Sequence, residues 1–127
     1  MESKRILIVE DEALIALALQ AQLEELGFTI VGIAATGEGA VEAAAAKEPD
    51  VILMDILLAG TMTGVEAART IRSQSPASVV FTTGYSDPDI RAQALAQEPL
   101  GYVTKPVTIE KLRPIFESLP PLPTPPR

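Results

Sequence analysis

The 127-residue chain contains no cysteine and no histidine, and aromatic residues make up only 4% of it. Without cysteine, the chain can form no disulfide, thiolate nucleophile or zinc-thiolate site. Without histidine, it has no imidazole to serve as a general base, metal ligand or phosphocarrier. The chemistry left to this protein is that of oxygen ligands and lysine, and its core must be built from aliphatic side chains.

Basic residues are also few, since ten Lys and Arg stand against 17 Asp and Glu, for a net charge of −7. The ten are scattered along the chain, so attraction to phosphate backbones is weak and we expect no direct nucleic-acid binding. No apolar run approaches the roughly 18 residues of a membrane span, and the first apolar run is too short for a signal peptide. We therefore expect one cytoplasmic domain with no membrane contact.

Five short apolar runs, rich in β-branched residues, recur along the chain. They occupy residues 6–9, 30–33, 51–54, 79–82 and 101–103. Continuous apolar runs are typical of parallel strands buried on both faces, and the chain between them is long enough for crossover helices. The sequence predicts a doubly wound, flavodoxin-like α/β fold with a five-stranded parallel sheet, order 2-1-3-4-5, and helices on both faces.

Apolar residues at helical spacing fill the segments between the runs. The predicted helices span residues 13–26, 40–47, 65–75, 88–97 and 109–119. Gly27 follows the first of them and is a good left-handed C-terminal cap. The fourth has an apolar stripe of only Ile90, Ala94 and Leu95, so we expect it to be short and mobile.

Five of the eleven prolines fall in the last eight residues, 120–127. This composition is typical of an extended polyproline-like segment and not of a packed domain. We predict a folded domain at residues 1–119, followed by a Pro-rich tail or linker at residues 120–127. A linker of this kind would also suit a domain that belongs to a larger kinase or regulator.

Charged, hydroxyl-bearing or glycine residues follow four of the five predicted strands. In chain order they are Glu10, Asp11, Asp55, Thr83, Gly84 and Lys105. The carboxyl ends of parallel strands share one edge of the sheet, and ligands bind where the strand order reverses. In the predicted order, strands one and three flank that reversal, so Asp11 and Asp55 would come together.

Two carboxylates about 4 Å apart repel by roughly 4 kcal/mol at an effective dielectric of about 20, so this pair favours a bound cation. With only oxygen ligands available, Mg²⁺ is the best match, and Mn²⁺ could replace it. Lys105 could pair with a phosphoryl oxygen, while the Thr83 hydroxyl and the Gly84 N–H could donate to others. Asp55 could then attack phosphorus to form an acyl phosphate.

Each of these residues also has an ordinary structural interpretation. Asp11 could cap the first helix, and Asp55 could be a turn residue after a strand. Thr83 with Gly84 could form a common turn, and a lone lysine such as Lys105 is more often solvated than bound to phosphate. The coincidence of all of them at strand ends favours the functional interpretation.

Residues 5–119 resemble the receiver domains of two-component response regulators, the CheY-like family. The resemblance rests on segment 6–12 with its acidic pair Glu10 and Asp11, and on Asp55 after segment 51–54. It also rests on Thr83 and on Lys105 within segment 101–106. It implies that Asp55 is the phosphoacceptor and that Thr83 and Lys105 bind the phosphoryl group.

The same resemblance implies a set of metal and phosphate contacts. Asp11, Asp55 and the main-chain carbonyl of Leu57 would ligate Mg²⁺, with Glu10 acting through a metal-bound water. The backbone at Leu57 and Gly84 would contact the phosphoryl group.

The resemblance also implies partners and a switch. A sensor histidine kinase or histidine phosphotransfer protein would donate the phosphoryl group, in keeping with the absence of histidine here. Phosphorylation would move Thr83 and Tyr102 and repack the face of helix four, strand five and helix five, where an unidentified protein binds. Alternatively, Tyr102 is simply buried along its ring with its hydroxyl in water. We expect a monomer or weak dimer.

Two features distinguish the chain within that family. Segment 81–85, Phe-Thr-Thr-Gly-Tyr, resembles the FAT GUY subgroup, which consists largely of single-domain regulators. The loop between Asp55 and Gly64 is one residue longer than usual for the family and has Ala59 where a proline is common. The resemblance therefore does not determine the conformation of this loop near the metal.

Two other functions use a similar fold. A haloacid-dehalogenase-like Mg²⁺ phosphatase needs a second aspartate two residues after its nucleophile, where this chain has Leu57, so the general acid is missing. A flavodoxin-like flavin binder needs aromatic side chains that this chain has in small number. We therefore expect a signalling switch whose only chemistry is its own phosphorylation and dephosphorylation.

Overall fold

The five predicted strands form one parallel sheet in the computed structural model, which describes residues 4–84 and 87–118. The sheet order, β2-β1-β3-β4-β5, confirms the doubly wound α/β fold. The strands are β1 (Arg5–Val9), β2 (Thr29–Ala34), β3 (Val51–Asp55), β4 (Ser78–Thr83) and β5 (Gly101–Thr104). Backbone pairing continues past the apolar runs, so Asp55 and Thr83 lie inside strands and not after them.

Helices follow the strands in strict alternation. They are α1 (Ala13–Glu25), α2 (Gly37–Lys47), α3 (Gly64–Arg72), α4 (Pro88–Leu95) and α5 (Ile109–Glu117). Gly27 has the predicted left-handed backbone, with φ +94°. α2 begins earlier than predicted because the Thr36 side chain accepts a hydrogen bond from Gly39 N and caps it. α4 is as short as expected, and its mobility stays a prediction.

The central strands are buried on both faces, which explains their continuous apolar runs. Leu7 and Ile52 belong to a core shared with α2, α3 and α4, whereas Ile6 and Val51 belong to a core shared with α1 and α5. Because the strands have no solvent-exposed face, every position of the run must be apolar until the carboxyl end is reached.

Several expectations concern residues outside the described ranges. These are the end of the fifth helix at Leu119, the Pro-rich segment 120–127, and Tyr85 of the FAT GUY-like segment. They stay predictions, as does the domain boundary at residue 119. Within the described ranges, no helix has both the length and the apolar character needed to cross a bilayer.

Candidate functional site

Three carboxylates meet at the carboxyl edge of the sheet. Glu10 follows β1 and extends its pairing, because its N–H donates to the carbonyl of Ala34 at 2.9 Å. Asp55 is the last residue of β3, and both carboxylates are buried, whereas Asp11 is exposed. One carboxylate oxygen from each of the three lies within 4.8 Å of the others. The adjacency of β1 and β3 therefore brings the predicted acids together.

Lys105 reaches this cluster from the segment that follows β5. Its Nζ lies 2.7 Å from Glu10 Oε1 and 2.9 Å from Asp55 Oδ2, and its side chain is 20% exposed. Its backbone N–H donates to the carbonyl of Thr83 at 2.7 Å, which ties the segment to β4. One ammonium is thus shared by two buried carboxylates.

The charges in this cluster do not balance, and the pKa values reflect it. Burial raises the pKa of Asp55 to about 6, with the charge of Glu10 adding to the rise and Lys105 opposing it. Burial also acts to raise the pKa of Glu10, but hydrogen bonds from Lys105 and from Glu12 N outweigh it and lower that pKa. Although burial disfavours its charge, Lys105 has a raised pKa because both acids face it. Asp55 is thus the acid whose burial is not offset by its partners.

Asp55→Asn is therefore expected to stabilise the metal-free protein by about 2 kcal/mol at about pH 8, and by much less near pH 5. Because the pKa of Asp55 is raised from 3.8 to about 6, its contribution to stability is complete below 3.8 and is lost as the pH rises through 6. Asparagine has nearly the same shape but does not ionise, so the variant loses no stability at this position over that pH range. Urea unfolding at several pH values measures the difference, and Asp50→Asn is the control.

An equal stability gain at both pH values, or a loss at the higher one, would contradict the raised pKa of Asp55.

Comparison with known proteins gives the family. Residues 6–117 match the response regulator receiver domain family. The transcriptional regulatory protein PdtaR of Mycobacterium tuberculosis is 39% identical over 114 residues, which cover 90% of this chain and 55% of that protein. This chain belongs to the response regulator receiver domains.

Solved structures agree with this family. The signal receiver domain of a modulated diguanylate cyclase from Desulfovibrio desulfuricans is 36% identical, with a TM-score of 0.86 over 92% of this chain and 93% of that one. A CheY-like receiver domain protein from Methanospirillum hungatei is 29% identical, with a TM-score of 0.84 over 92% and 94%. The chain spans about half the length of PdtaR.

In this receiver domain, Asp11 does not cap the first helix, and that alternative interpretation is wrong. The N-cap residue of α1 is Glu12, whose side chain makes no capping hydrogen bond. Glu12 N donates instead to Glu10 Oε2 at 3.1 Å. Glu10 therefore binds Lys105 through one oxygen and the start of α1 through the other, a double role that its sequence position did not reveal.

Thr83 and Gly84 lie at the end of β4, beside Lys105. Thr83 is buried and pairs with Thr104 across the β4–β5 ladder, while Gly84 is exposed. A Cβ at Gly84 would lie 3.7 Å from Lys105 Cδ, so the lysine stem passes close to this backbone. Both residues thus lie next to Lys105, whose ammonium reaches the acidic cluster.

Tyr102 on β5 has a buried hydroxyl group, whereas the ordinary structural interpretation places that hydroxyl in water. Its hydroxyl oxygen has no hydrogen-bond partner among the described residues. The guanidinium carbon of Arg91, on α4, lies 5.5 Å from the centre of its ring. The interpretation with the hydroxyl in water is therefore wrong.

The long loop between β3 and α3 is fixed to the neighbouring α2 segment. Ala59 forms a parallel bridge with Thr36, and Thr61 Oγ1 donates to a Glu38 carboxylate oxygen at 3.2 Å. At the start of the loop, Leu57 N donates to Asp55 Oδ1 at 3.3 Å. The loop is thus held by contacts with the β2–α2 connection and the start of α2.

The donor set of the cluster fits a hard divalent cation. Oxygen is the only ligand type present, and a cation would neutralise the carboxylate charge of Asp55, whose pKa is raised by burial with the charge of Glu10 adding to the rise. Asp11 is exposed and engages neither Lys105 nor the α1 cap, so its carboxylate can serve as a ligand beside Asp55. Both oxygens of Glu10 already have partners, which suits a contact through water.

Proposed function

We propose that this receiver domain accepts a phosphoryl group on Asp55, in a Mg²⁺-dependent reaction, from a phosphohistidine on a histidine kinase or histidine phosphotransfer protein. The phosphorylated form then binds a protein partner through the face of α4, β5 and α5. The observation that carries the proposal is the gathering of carboxylate oxygens from Glu10, Asp11 and Asp55 within 4.8 Å of one another, with the Lys105 ammonium paired to Glu10 and Asp55. Family membership supports the same function.

The residues have distinct roles in this reaction. An oxygen of ionised Asp55 bonds to phosphorus as the phosphorus–nitrogen bond of the phosphohistidine breaks, and the electron pair leaves with the imidazole nitrogen. Its pKa of about 6 keeps Asp55 largely ionised above neutral pH. Asp11, Asp55 and the carbonyl of Leu57 would hold Mg²⁺, which would supply positive charge for the phosphoryl oxygens. The Lys105 ammonium replaces its ion pair with the Asp55 carboxylate by one with a phosphoryl oxygen. The Thr83 hydroxyl donates a hydrogen bond to another phosphoryl oxygen.

The proposal is tested with beryllofluoride, a mimic of aspartyl phosphate, added with Mg²⁺ and followed by amide NMR shifts. We expect changes at Thr83, Tyr102 and Lys105 in the parent domain and none of them in Asp55→Asn. Identical changes in both proteins, or no change in the parent, would refute phosphoacceptance at Asp55. Omitting Mg²⁺ from the parent sample tests the metal dependence.

The phosphoryl donor is expected to dock on exposed leucines of α1, beside the site. Leu14 is 82% exposed and Leu17 is 56% exposed, in the first turns after Asp11 and Glu12. We expect Leu14→Asp to slow phosphotransfer from a histidine-phosphorylated donor protein about tenfold, because it removes an apolar contact at the interface. Phosphorylation by a small phosphodonor should be unchanged, since that reaction needs no protein surface.

The matched control is Leu26→Asp, which changes an exposed leucine at the far end of the same helix. Leu26 is 46% exposed and borders a groove formed with Phe28 and Phe116. The histidine-phosphorylated donor protein and the small phosphodonor should each phosphorylate this variant at the rate measured for the parent domain. Equal slowing by Leu14→Asp and Leu26→Asp would exclude the α1 start as the docking surface.

A further inference from the structure

Lys111 makes an unusual pair of contacts around the site lysine. It lies in the first turn of α5, and its Nζ is 2.9 Å from the carbonyl oxygen of Thr104 and 2.9 Å from that of Pro106. These two residues flank Lys105 in the chain. A single ammonium therefore holds the backbone on both sides of the residue that reaches Glu10 and Asp55.

The stability of α5 does not explain a lysine at this position. The positive end of the helix macrodipole lies in the first turn, where a cation is unfavourable by a few tenths of a kcal/mol. The N-terminus is already capped, because the Thr108 side chain accepts a hydrogen bond from Lys111 N at 3.3 Å. The favourable contribution of the Lys111 side chain must come from its charge-assisted hydrogen bonds to the two carbonyls.

The segment that carries Lys105 is a short connection between β5 and α5. The Lys105 N–H donates to Thr83 O at 2.7 Å, which fixes its start from the β4 side. Lys105 and Pro106 lie outside any helix or strand, and α5 begins only at Ile109. Two hydrogen bonds from Lys111 to the carbonyls on either side thus limit how far the backbone of Lys105 can turn.

We propose that Lys111 is a positioning residue for Lys105. It clamps the carbonyls of Thr104 and Pro106 so that the Lys105 ammonium points into the acidic cluster. The inference deepens the proposed function, in which Lys105 pairs with a phosphoryl oxygen. Lys111 itself touches neither phosphate nor metal.

The test compares Lys111→Met, which keeps the stem and loses the ammonium, with Lys111→Arg, which restores a cationic donor. Arg113→Met is the matched control, because it removes one positive charge from an exposed side chain of the same helix. The first readout is the NMR signal of the Lys105 ε-methylene in metal-free protein, whose two hydrogens are inequivalent only while the ammonium is held. The second is the affinity for beryllofluoride in saturating Mg²⁺.

We expect Lys111→Met to merge the two Lys105 ε-hydrogen signals and to weaken beryllofluoride binding about tenfold. Affinity for Mg²⁺ alone should change less than about twofold, because Lys105 is not a metal ligand. Lys111→Arg should recover most of both effects, and Arg113→Met should show neither. In a Lys105→Met background, Lys111→Met should have no further effect on beryllofluoride binding.

Three outcomes would overturn the proposal. They are unchanged Lys105 signals in Lys111→Met, an equal effect of Arg113→Met, and general unfolding of Lys111→Met, which would show a purely structural role. Because the NMR arm uses neither metal nor phosphate mimic, its result holds even if the parent domain binds no beryllofluoride. Failure of the parent domain to bind beryllofluoride would refute the proposed function and not the positioning role.

Discussion

Replacing Lys105 with methionine is expected to lower the free energy of unfolding by about 3 kcal/mol at neutral pH in the absence of divalent cations. Glu10 and Asp55 are both buried, and Lys105 Nζ lies within 3 Å of each of them, at 2.7 and 2.9 Å. Methionine fills the space of the lysine stem but leaves two carboxylates without their cation. Removing one partner of a buried ion pair costs far more than the pair contributes, because the other charge stays desolvated.

The cause of this loss is tested by restoring positive charge in other ways. Added Mg²⁺ should recover part of the stability of Lys105→Met, and so should acid pH, because protonation removes the uncompensated charge of the carboxylates. Phosphorylation of the variant should nevertheless stay strongly impaired, because Mg²⁺ does not replace the phosphoryl contact of Lys105. Urea unfolding with and without Mg²⁺ measures the recovery. Lys47→Met, at an exposed lysine of α2, is the control.

A loss of stability in Lys105→Met that neither Mg²⁺ nor acid reduces would mean that packing, and not charge, is responsible. The prediction has the opposite sign to that for Asp55→Asn, although both variants break the same ion pair. Removing an acid reduces the charge excess, whereas removing the ammonium increases it. Opposite signs are expected only where the cluster has fewer cations than carboxylates, which is the electrostatic condition for binding a divalent ion.

The sequence predicts the sheet well because its central strands, β1, β3 and β4, are buried on both faces. Runs such as residues 51–54 must be apolar at every position, and this is visible without knowledge of any neighbour. Helix boundaries are less visible because they depend on local capping. α2 begins at Gly37 because of the Thr36 side chain, and α3 begins at Gly64, where Thr63 and Glu66 form a capping box.

The composition of the candidate site was also predictable, but its internal contacts were not. Strand ends on one sheet edge predict that Asp11, Asp55 and Lys105 lie close together. They do not predict that Glu10 takes the nearer ion pair with Lys105, since that depends on side-chain directions at the end of β1. The clamp by Lys111 was likewise invisible, because a lysine in the first turn of a helix carries no sequence pattern that marks it.

Gly64→Ala is expected to destabilise the domain by about 3 kcal/mol, which corresponds to a melting temperature about 10 °C lower. A Cβ at this position would overlap the backbone oxygen of Asp55 and lie 2.9 Å from both the Asp55 carbonyl carbon and Ile56 Cα. Those atoms belong to the end of β3 and its first loop residue, where backbone hydrogen bonds hold them. Gly64 N also donates to Ile56 O at 2.8 Å, so the start of α3 cannot simply withdraw.

Gly32→Ala is the matched control, since a Cβ there would lie 3.5 Å from Leu7 Cδ1, an ordinary contact, and it should change stability by less than about 1 kcal/mol. Thermal and urea unfolding of both variants measure the difference, and equal effects would show that the approach of Gly64 to β3 is not tight. The same approach brings the start of α3 onto the backbone of Asp55, the proposed phosphoacceptor. A methyl group that pushes α3 away must therefore also move the loop that carries Leu57, so we expect Mg²⁺ affinity to fall together with stability in Gly64→Ala and to stay unchanged in Gly32→Ala.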